Sequence, residues 1–385
     1  MVNDRKVAVV GCGFVGSSSA FALMQSGLFS EMVLIDVDRA RAEGEALDIA
    51  HGVSFGNPMK IYAGDYSDVS DAAVIVVTAG AAQKPGETRL DLVNKNISIF
   101  GSIIPQIRES GFNGILLIVS NPVDVLTYAA IKMSGLPEGQ VIGSGTVLDT
   151  ARLKYMLGEH LDVDPRDVHA YIVGEHGDSE VAAWSSATVA GVPLSTYCEL
   201  HGHYNHEESE RRIADEVKNS AYEIIEKKRA TYYGIAMSVR RICTAIMRDE
   251  DCVLPVSSLM VGEYGLNDLC ISVPTVVGRN GVVTRVPVSL SEEENAEFQK
   301  SAAALKAIVD EAGLNDESST QTRRALRCAP FRLAPGPHMG RGFPLPIGPG
   351  SRKPFATAAV ASGHERLLRS TKGIEWSKCE IGERG

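Results

Sequence analysis

A chain of 385 residues is long enough to build two domains around separate cores. Its hydrophobic (44%) and charged (22%) fractions are ordinary for a globular protein, which argues against a fibrous, low-complexity or disulfide-built molecule. The net charge of −10 is uneven: residues 316–385 hold 12 Lys/Arg against 6 Asp/Glu, +6 in all, leaving the rest at −16. An acidic body gives no reason to expect a nucleic-acid partner.

Taken in chain order, Lys6–Val10 is a short apolar run that reads as a buried parallel strand. Gly11, Gly13 and Gly16 follow it, and Gly16–Gln25 reads as a small-residue helix stopped at Gly27. Met32–Asp36 is the next strand and Glu43–His51 the next helix. The runs Ala72–Val77 and Gly114–Val119 are further strands, with helical periodicity over Asn94–Ser110 between them. Val141–Gly143 is expected to close this half. Alternating strands and helices with short links predict a doubly wound parallel sheet with helices on both faces.

The second half reads differently. Ala151–Leu161 is helical, and Val168–Val173 is a strand leading into the segment Val173-Gly174-Glu175-His176-Gly177-Asp178. Glu207–Lys228 is a long charged helix, followed by another over Tyr232–Met247. Residues 252–290 alternate β-branched residues with Gly and Pro, as antiparallel hairpins do. Ser291–Ala312 is a closing helix with Ser291 as N-cap and three Glu in its first turn. Beyond Asn315 no period is sustained and Pro, Gly and Arg dominate, so the tail is expected to be disordered. The reading is therefore an α/β protein: an N-terminal Rossmann sheet over 1–145, an α+β substrate domain with antiparallel strands over 146–315, and an extension over 316–385.

Seven scattered cysteines without a Cys-x-x-Cys pair predict no disulfide framework and no metal site, and fit a reducing cytoplasm. No leader is expected at the N-terminus and no apolar run approaches membrane-spanning length.

The first chemical motif is Gly11-Cys12-Gly13-Phe14-Val15-Gly16. It follows a strand and opens a helix, and Asp36 ends the next strand twenty residues after Gly16. That context turns a weak glycine pattern into a dinucleotide site. The glycines allow a tight turn and close approach of the pyrophosphate to a helix N-terminus. Asp36 would accept from the ribose hydroxyls and repel a 2′-phosphate, favouring NAD over NADP. The second constellation pairs His176, whose imidazole titrates near neutrality, with Asp149-Thr150-Ala151-Arg152. Asp149 and Arg152 share a helix face, and the guanidinium could bind a carboxylate through two parallel hydrogen bonds. By spacing alone, a structural histidine and a surface ion pair are the commoner outcome.

A third segment, Thr78 to Val93 with Gly86-Glu87-Thr88-Arg89, shifts that balance. With Ser120-Asn121-Pro122-Val123-Asp124 and Ala230-Thr231-Tyr232-Tyr233-Gly234 in order, the chain resembles the NAD-dependent L-lactate and malate dehydrogenase family over about Lys6 to Leu314. The resemblance implies roles. His176 is the acid/base, oriented by Asp149. Arg152 holds the substrate carboxylate. Arg89 closes over the carbonyl on a mobile loop. Asn121 lies near the reacting oxygen, and Thr231 lines the pocket. Gly11, Gly13, Phe14, Val15, Gly16, Asp36, Thr78, Ala79, Gly80, Ser120 and Asn121 hold the dinucleotide. Gln83 stands where malate-specific relatives carry arginine. Burying the second carboxylate of oxaloacetate beside an uncharged amide costs several kcal/mol, on the order of a thousandfold in rate. The expected substrate pair is therefore pyruvate and L-lactate, with malate or another L-2-hydroxy acid as the alternative. The resemblance also implies a homotetramer of fermentative glycolysis. Many bacterial relatives are activated by fructose 1,6-bisphosphate through an Arg and a His; here those positions are Lys154 and His169. Lysine keeps the charge and loses the fork, so His169 stays evenly balanced between an allosteric contact and a histidine at a strand edge.

Overall fold

The computed structural model describes residues 3–82, 86 and 88–315, with the side chains of Asn3, Asp4 and Arg89 left aside. The predicted disorder of 316–385 and the candidate Gln83 fall outside the described residues. In chain order the elements are β1 (Asn3–Val10), α1 (Phe14–Ser26), β2 (Glu31–Ile35), α2 (Arg39–Gly52), β3 (Lys60–Ala63), β4 (Ala72–Val77), α3 (Arg89–Glu109), β5 (Ile115–Ile118), α4 (Val123–Ser134) and β6 (Val141–Gly143). Then come α5 (Val147–Leu161), β7 (Val168–His169), β8 (Ile172–Val173), β9 (Val181–Ala182), β10 (Thr188–Val189), β11 (Val192–Pro193), α6 (Leu194–Leu200), α7 (His206–Lys228) and α8 (Tyr233–Arg248). The chain continues with β12 (Cys252–Leu254), β13 (Ser257–Val261), β14 (Asn267–Ser272), β15 (Thr275–Gly278), β16 (Gly281–Arg285) and α9 (Glu292–Glu311).

The main sheet runs β14-β13-β6-β5-β4-β1-β2-β3. Its parallel part, β3-β2-β1-β4-β5-β6, is the doubly wound order whose chain reversal lies between β1 and β4. The strands are apolar on both sides because helices cover both faces. Alternate residues divide cleanly: Ala8, Val10, Ile75, Val77, Leu116 and Ile118 enter the core with α3, α4 and α9. Val7, Val9, Val74, Val76, Ile115 and Leu117 enter the opposite core with α1, α2 and α8. A third core forms around Leu153, Leu157, Ile172, Val189 and Ile213 in the second half. Local signals set the helix ends. Gly27 closes α1 in the left-handed conformation (φ 67°), Thr88 and Asp91 form a capping box at α3, and Ser291 and Glu294 do the same at α9.

Two expectations are corrected. Val141–Gly143 does close the first half, as its last parallel strand, but the sheet continues: Ser257 of β13 pairs antiparallel with Gly143 and β14 follows. The hairpins of 252–290 are thus divided: β13 and β14 extend the main sheet while β12, β15 and β16 form a separate one. The expected strand Val168–Val173 is two short strands in different sheets, β7 with β10 and β8 with β9. Strand β3 and helix α4 were not foreseen. Helix α4 is buried on nearly every side, so it shows no amphipathic stripe. No helix among the described residues is long and apolar enough to cross a membrane.

Candidate active site

The glycine loop lies at the reversal between β1 and β4, with α1 opening directly from it. A cavity of about 560 Å³ is bordered there by Gly11, Gly13, Asp36, Thr78, Ala79 and Gly80. Gly11 has φ 98°, and a Cβ on it would lie 2.6 Å from Ala79 N. A Cβ on Gly16 would fall 1.8 Å from Gly11 O, so the third glycine lets α1 press against the turn. Gly13 has no protein atom within 4 Å of a Cβ position; it faces open space, as the approach of a pyrophosphate requires. As N-cap of α1 it supplies no side-chain cap, and the first turn holds no acid, leaving the backbone N–H groups for an anion. Asp36 closes the loop from the side: its Oδ2 accepts from Cys12 N (2.6 Å) and its Oδ1 from Asp38 N (2.9 Å). The residues present therefore fit a dinucleotide. Behind them, Thr78 Oγ1 donates to Gly11 O (2.7 Å) and Ser120 Oγ to Ala79 O (2.7 Å), locking three strand ends together.

The catalytic candidates come from the second half. Antiparallel β8 and β9 are closed by the loop 174–180, which carries His176. Gly174 (φ 96°) bonds Ser272 of β14 in both directions, and Glu175 N donates to Ser301 Oγ of α9 (2.9 Å). The loop is thereby bolted to two elements far away in sequence. His176 Nδ1 meets Asp149 Oδ2 at 2.6 Å, and Asp149 Oδ1 accepts from Arg152 Nη1 at 2.7 Å. One carboxylate thus joins imidazole and guanidinium, and only 2% of its side chain is exposed. Burial by itself would lower the His176 pKa; the Asp149 charge and hydrogen bond, with Asp124 and Glu180 behind, outweigh it and hold it at about 9. Burial likewise disfavours the Asp149 anion, but His176 and Arg152 overcome it and keep that carboxyl below its ordinary range.

Three contributors escaped the sequence reading. Asp124, buried at the start of α4, accepts from His176 N through Oδ2 (2.9 Å) and from Ser257 Oγ through Oδ1 (2.6 Å). Burial pushes its carboxyl pKa up. It lay inside the quoted Ser120–Asp124 motif, where its position beside the helix start was the available signal. Asn96, fully buried in α3, donates to Asn121 O (2.8 Å) and accepts from Ala81 N (2.8 Å), tying the two loops beside the cavity. Glu180 ends the His176 loop, and its carboxylate, the Asp149 carboxylate and the imidazole offer atoms all within 4.8 Å of one another.

The remaining candidates are placed as follows. Phe14 stacks on Tyr232 (5.4 Å between centroids), which brings the link from α7 to α8, where Thr231 precedes Tyr232, to the glycine loop. Val15 packs against the core of that face. Asn121 is exposed and follows β5. Arg89 opens α3 just after its capping Thr88. Lys154 lies on α5, where burial lowers its pKa against the opposing charge of Asp167. His169 is exposed on β7, an edge strand.

Comparison with known proteins covers the same residues. The family profile "lactate/malate dehydrogenase, NAD binding domain" matches residues 5–143, and "lactate/malate dehydrogenase, alpha/beta C-terminal domain" matches 146–314. The chain is 52% identical over 307 residues to an L-lactate dehydrogenase of Thermoanaerobacter sp. (strain X514), covering 80% of this chain and 99% of that one. It is 51% identical over 310 residues to L-lactate dehydrogenase 1 of Clostridium acetobutylicum, with the same coverage. Among solved structures it is similar to the minor L-lactate dehydrogenase of Enterococcus mundtii in its ligand-bound form. That match has a TM-score of 0.78 and 49% identity over 80% of this chain and 98% of that one. The chain belongs to the lactate/malate dehydrogenase family, an NAD-dependent group of oxidoreductases.

Proposed function

We propose that the protein is an L-lactate dehydrogenase, reducing pyruvate to L-lactate with NADH and running the reverse reaction with NAD. The observation that carries this is the single buried carboxylate of Asp149 holding the imidazole of His176 on one oxygen and the guanidinium of Arg152 on the other. Bound NADH supplies the hydride. Asp149 fixes the imidazole with Nδ1 toward the carboxylate, leaving Nε2 to give a proton to the ketone oxygen. Arg152 receives the substrate carboxylate, orienting the ketone toward that nitrogen. Arg89 adds positive charge at the carbonyl when its loop closes and water leaves, where the lower dielectric makes that charge count for more. Asn121 and Thr231 complete the pocket. The support is the similarity to enzymes named L-lactate dehydrogenase at about half identity.

The preference for pyruvate over oxaloacetate rests on Gln83. The test is NADH oxidation by the full chain with pyruvate, oxaloacetate and longer 2-oxo acids. Pyruvate should lead by about a thousandfold in kcat/KM over oxaloacetate, and Gln83→Arg should reverse the order. Oxaloacetate as the better substrate of the unaltered enzyme would replace this reading by malate dehydrogenase. We further place the enzyme in the cytoplasm as a homotetramer, with Lys154 and His169 as the candidate contacts for fructose 1,6-bisphosphate. The same assay with and without the bisphosphate, and light scattering for mass, address activation and assembly.

A further inference from the structure

Loop 174–180 carries a second titratable side chain besides His176. Its turn is closed by Glu180 N donating to Gly177 O (3.2 Å), and Val181 then pairs with Val173 in β9. This reversal returns Glu180 to the His176–Asp149 pair, with carboxylate and imidazole atoms within 4.8 Å of each other. The half-buried Glu180 is faced by Asp149 and Arg152 from α5, by His176 from its own loop and by Lys218 from α7. Asp124 of α4 faces His176 from behind. Two carboxylates this close in a partly buried pocket do not both ionise readily. Asp149 has the imidazole and the guanidinium as direct partners at 2.6 and 2.7 Å, so it keeps the charge.

We propose that Glu180 is a proton-holding positioning residue whose protonated form is the one that admits the substrate carboxylate to Arg152. This rests on the proposed function above. A neutral Glu180 leaves the pocket with one negative charge fewer, which favours a 2-oxo acid anion. An ionised Glu180 competes for Arg152 and repels that anion. Burial and the Asp149 charge push the Glu180 carboxyl up to about 8, against the pull of His176, Arg152 and Lys218. Substrate binding above that pH then takes up one proton from solvent at Glu180, besides the one that His176 requires above about 9.

The experiment measures the dissociation constant of oxamate, a non-reducible isostere of pyruvate, from the enzyme–NADH complex between pH 6 and 10. Two protons taken up make the constant rise with a slope approaching a hundredfold per pH unit above about pH 9. In Glu180→Gln only the His176 proton remains, and the slope is at most tenfold per unit. A merely structural role for Glu180 would change the constant at every pH without changing that slope. The proposal is overturned if the unaltered enzyme never exceeds tenfold per unit, a result that stands even if the variant fails to fold. It is also overturned if Glu180→Gln is as steep as the unaltered enzyme. Failure of oxamate to bind at pH 7, together with no pyruvate turnover, would instead overturn the underlying function.

Discussion

At the residue scale Asp149 serves two partners at once, and in the proposed mechanism it sets the chemistry. Its hold on His176 raises the imidazole to about 9, so the acid form needed for pyruvate reduction prevails at neutral pH and is lost as pH rises through that value. Lactate oxidation needs the neutral base and should rise over the same range. Initial rates in both directions from pH 6 to 10 test the crossing. Asp149→Asn removes the charge and permits the wrong tautomer, so kcat should fall by about a thousandfold and both midpoints should move to lower pH. Arg152→Lys keeps the charge but not the fork. The loss of one charge-assisted hydrogen bond, about 2 kcal/mol, should raise KM for pyruvate by roughly thirtyfold, with a smaller effect on NADH binding. His176, Asp149 and Arg152 were legible from motif and resemblance, which implied their convergence; spacing alone did not. Asp124 was quoted within a motif but given no role, and Glu180 was not singled out, because an acid in sequence gives no sign of burial or of what it faces.

At the element scale, the loop that carries His176 is held by parts remote in sequence. Asp124 of α4 links the His176 backbone to Ser257 of β13, and Ser301 of α9 takes the next N–H. Asp124→Ala leaves a buried N–H and a buried hydroxyl without partners, at a cost of about 1–3 kcal/mol each. Thermal denaturation should show a midpoint several degrees lower, and kcat should drop as the imidazole loses its backbone anchor. Helices with a sharp period or cap, such as α7 and α9, were legible. Helix α4 was not, because a helix buried all round has no polar face to mark its turn. Strand β3 is also weak in sequence: it is an edge strand with an exposed Lys60 and no fully buried residue.

On the scale of the whole molecule, the sheet binds the two halves together. Strands β13 and β14, from residues 257–272, lie beside β6 and bring the Ser272 bridge to the His176 loop. Leu314, just beyond α9, is buried in the core shared by α3 and α4. The family profiles end at residue 314, and the chain covers 99% of its Thermoanaerobacter relative. A variant ending at Asn315 should therefore keep the kcat and KM of the full chain within about twofold, with an unchanged unfolding midpoint. A loss of activity would assign residues 316–385 a role in the enzyme.

Sequence by itself determined the elements whose cause is local: the glycine turn that only small residues allow, the apolar strands alternating with helices, and the capped helices. Tertiary structure alone decided which strands follow β6, why His176 sits where it does, and which acids share its pocket. The reason is that turns and caps are settled by neighbours a few residues away. Sheet order and charge coupling depend instead on groups such as Asp124, Ser257, Ser272 and Ser301, which meet only when the chain has folded.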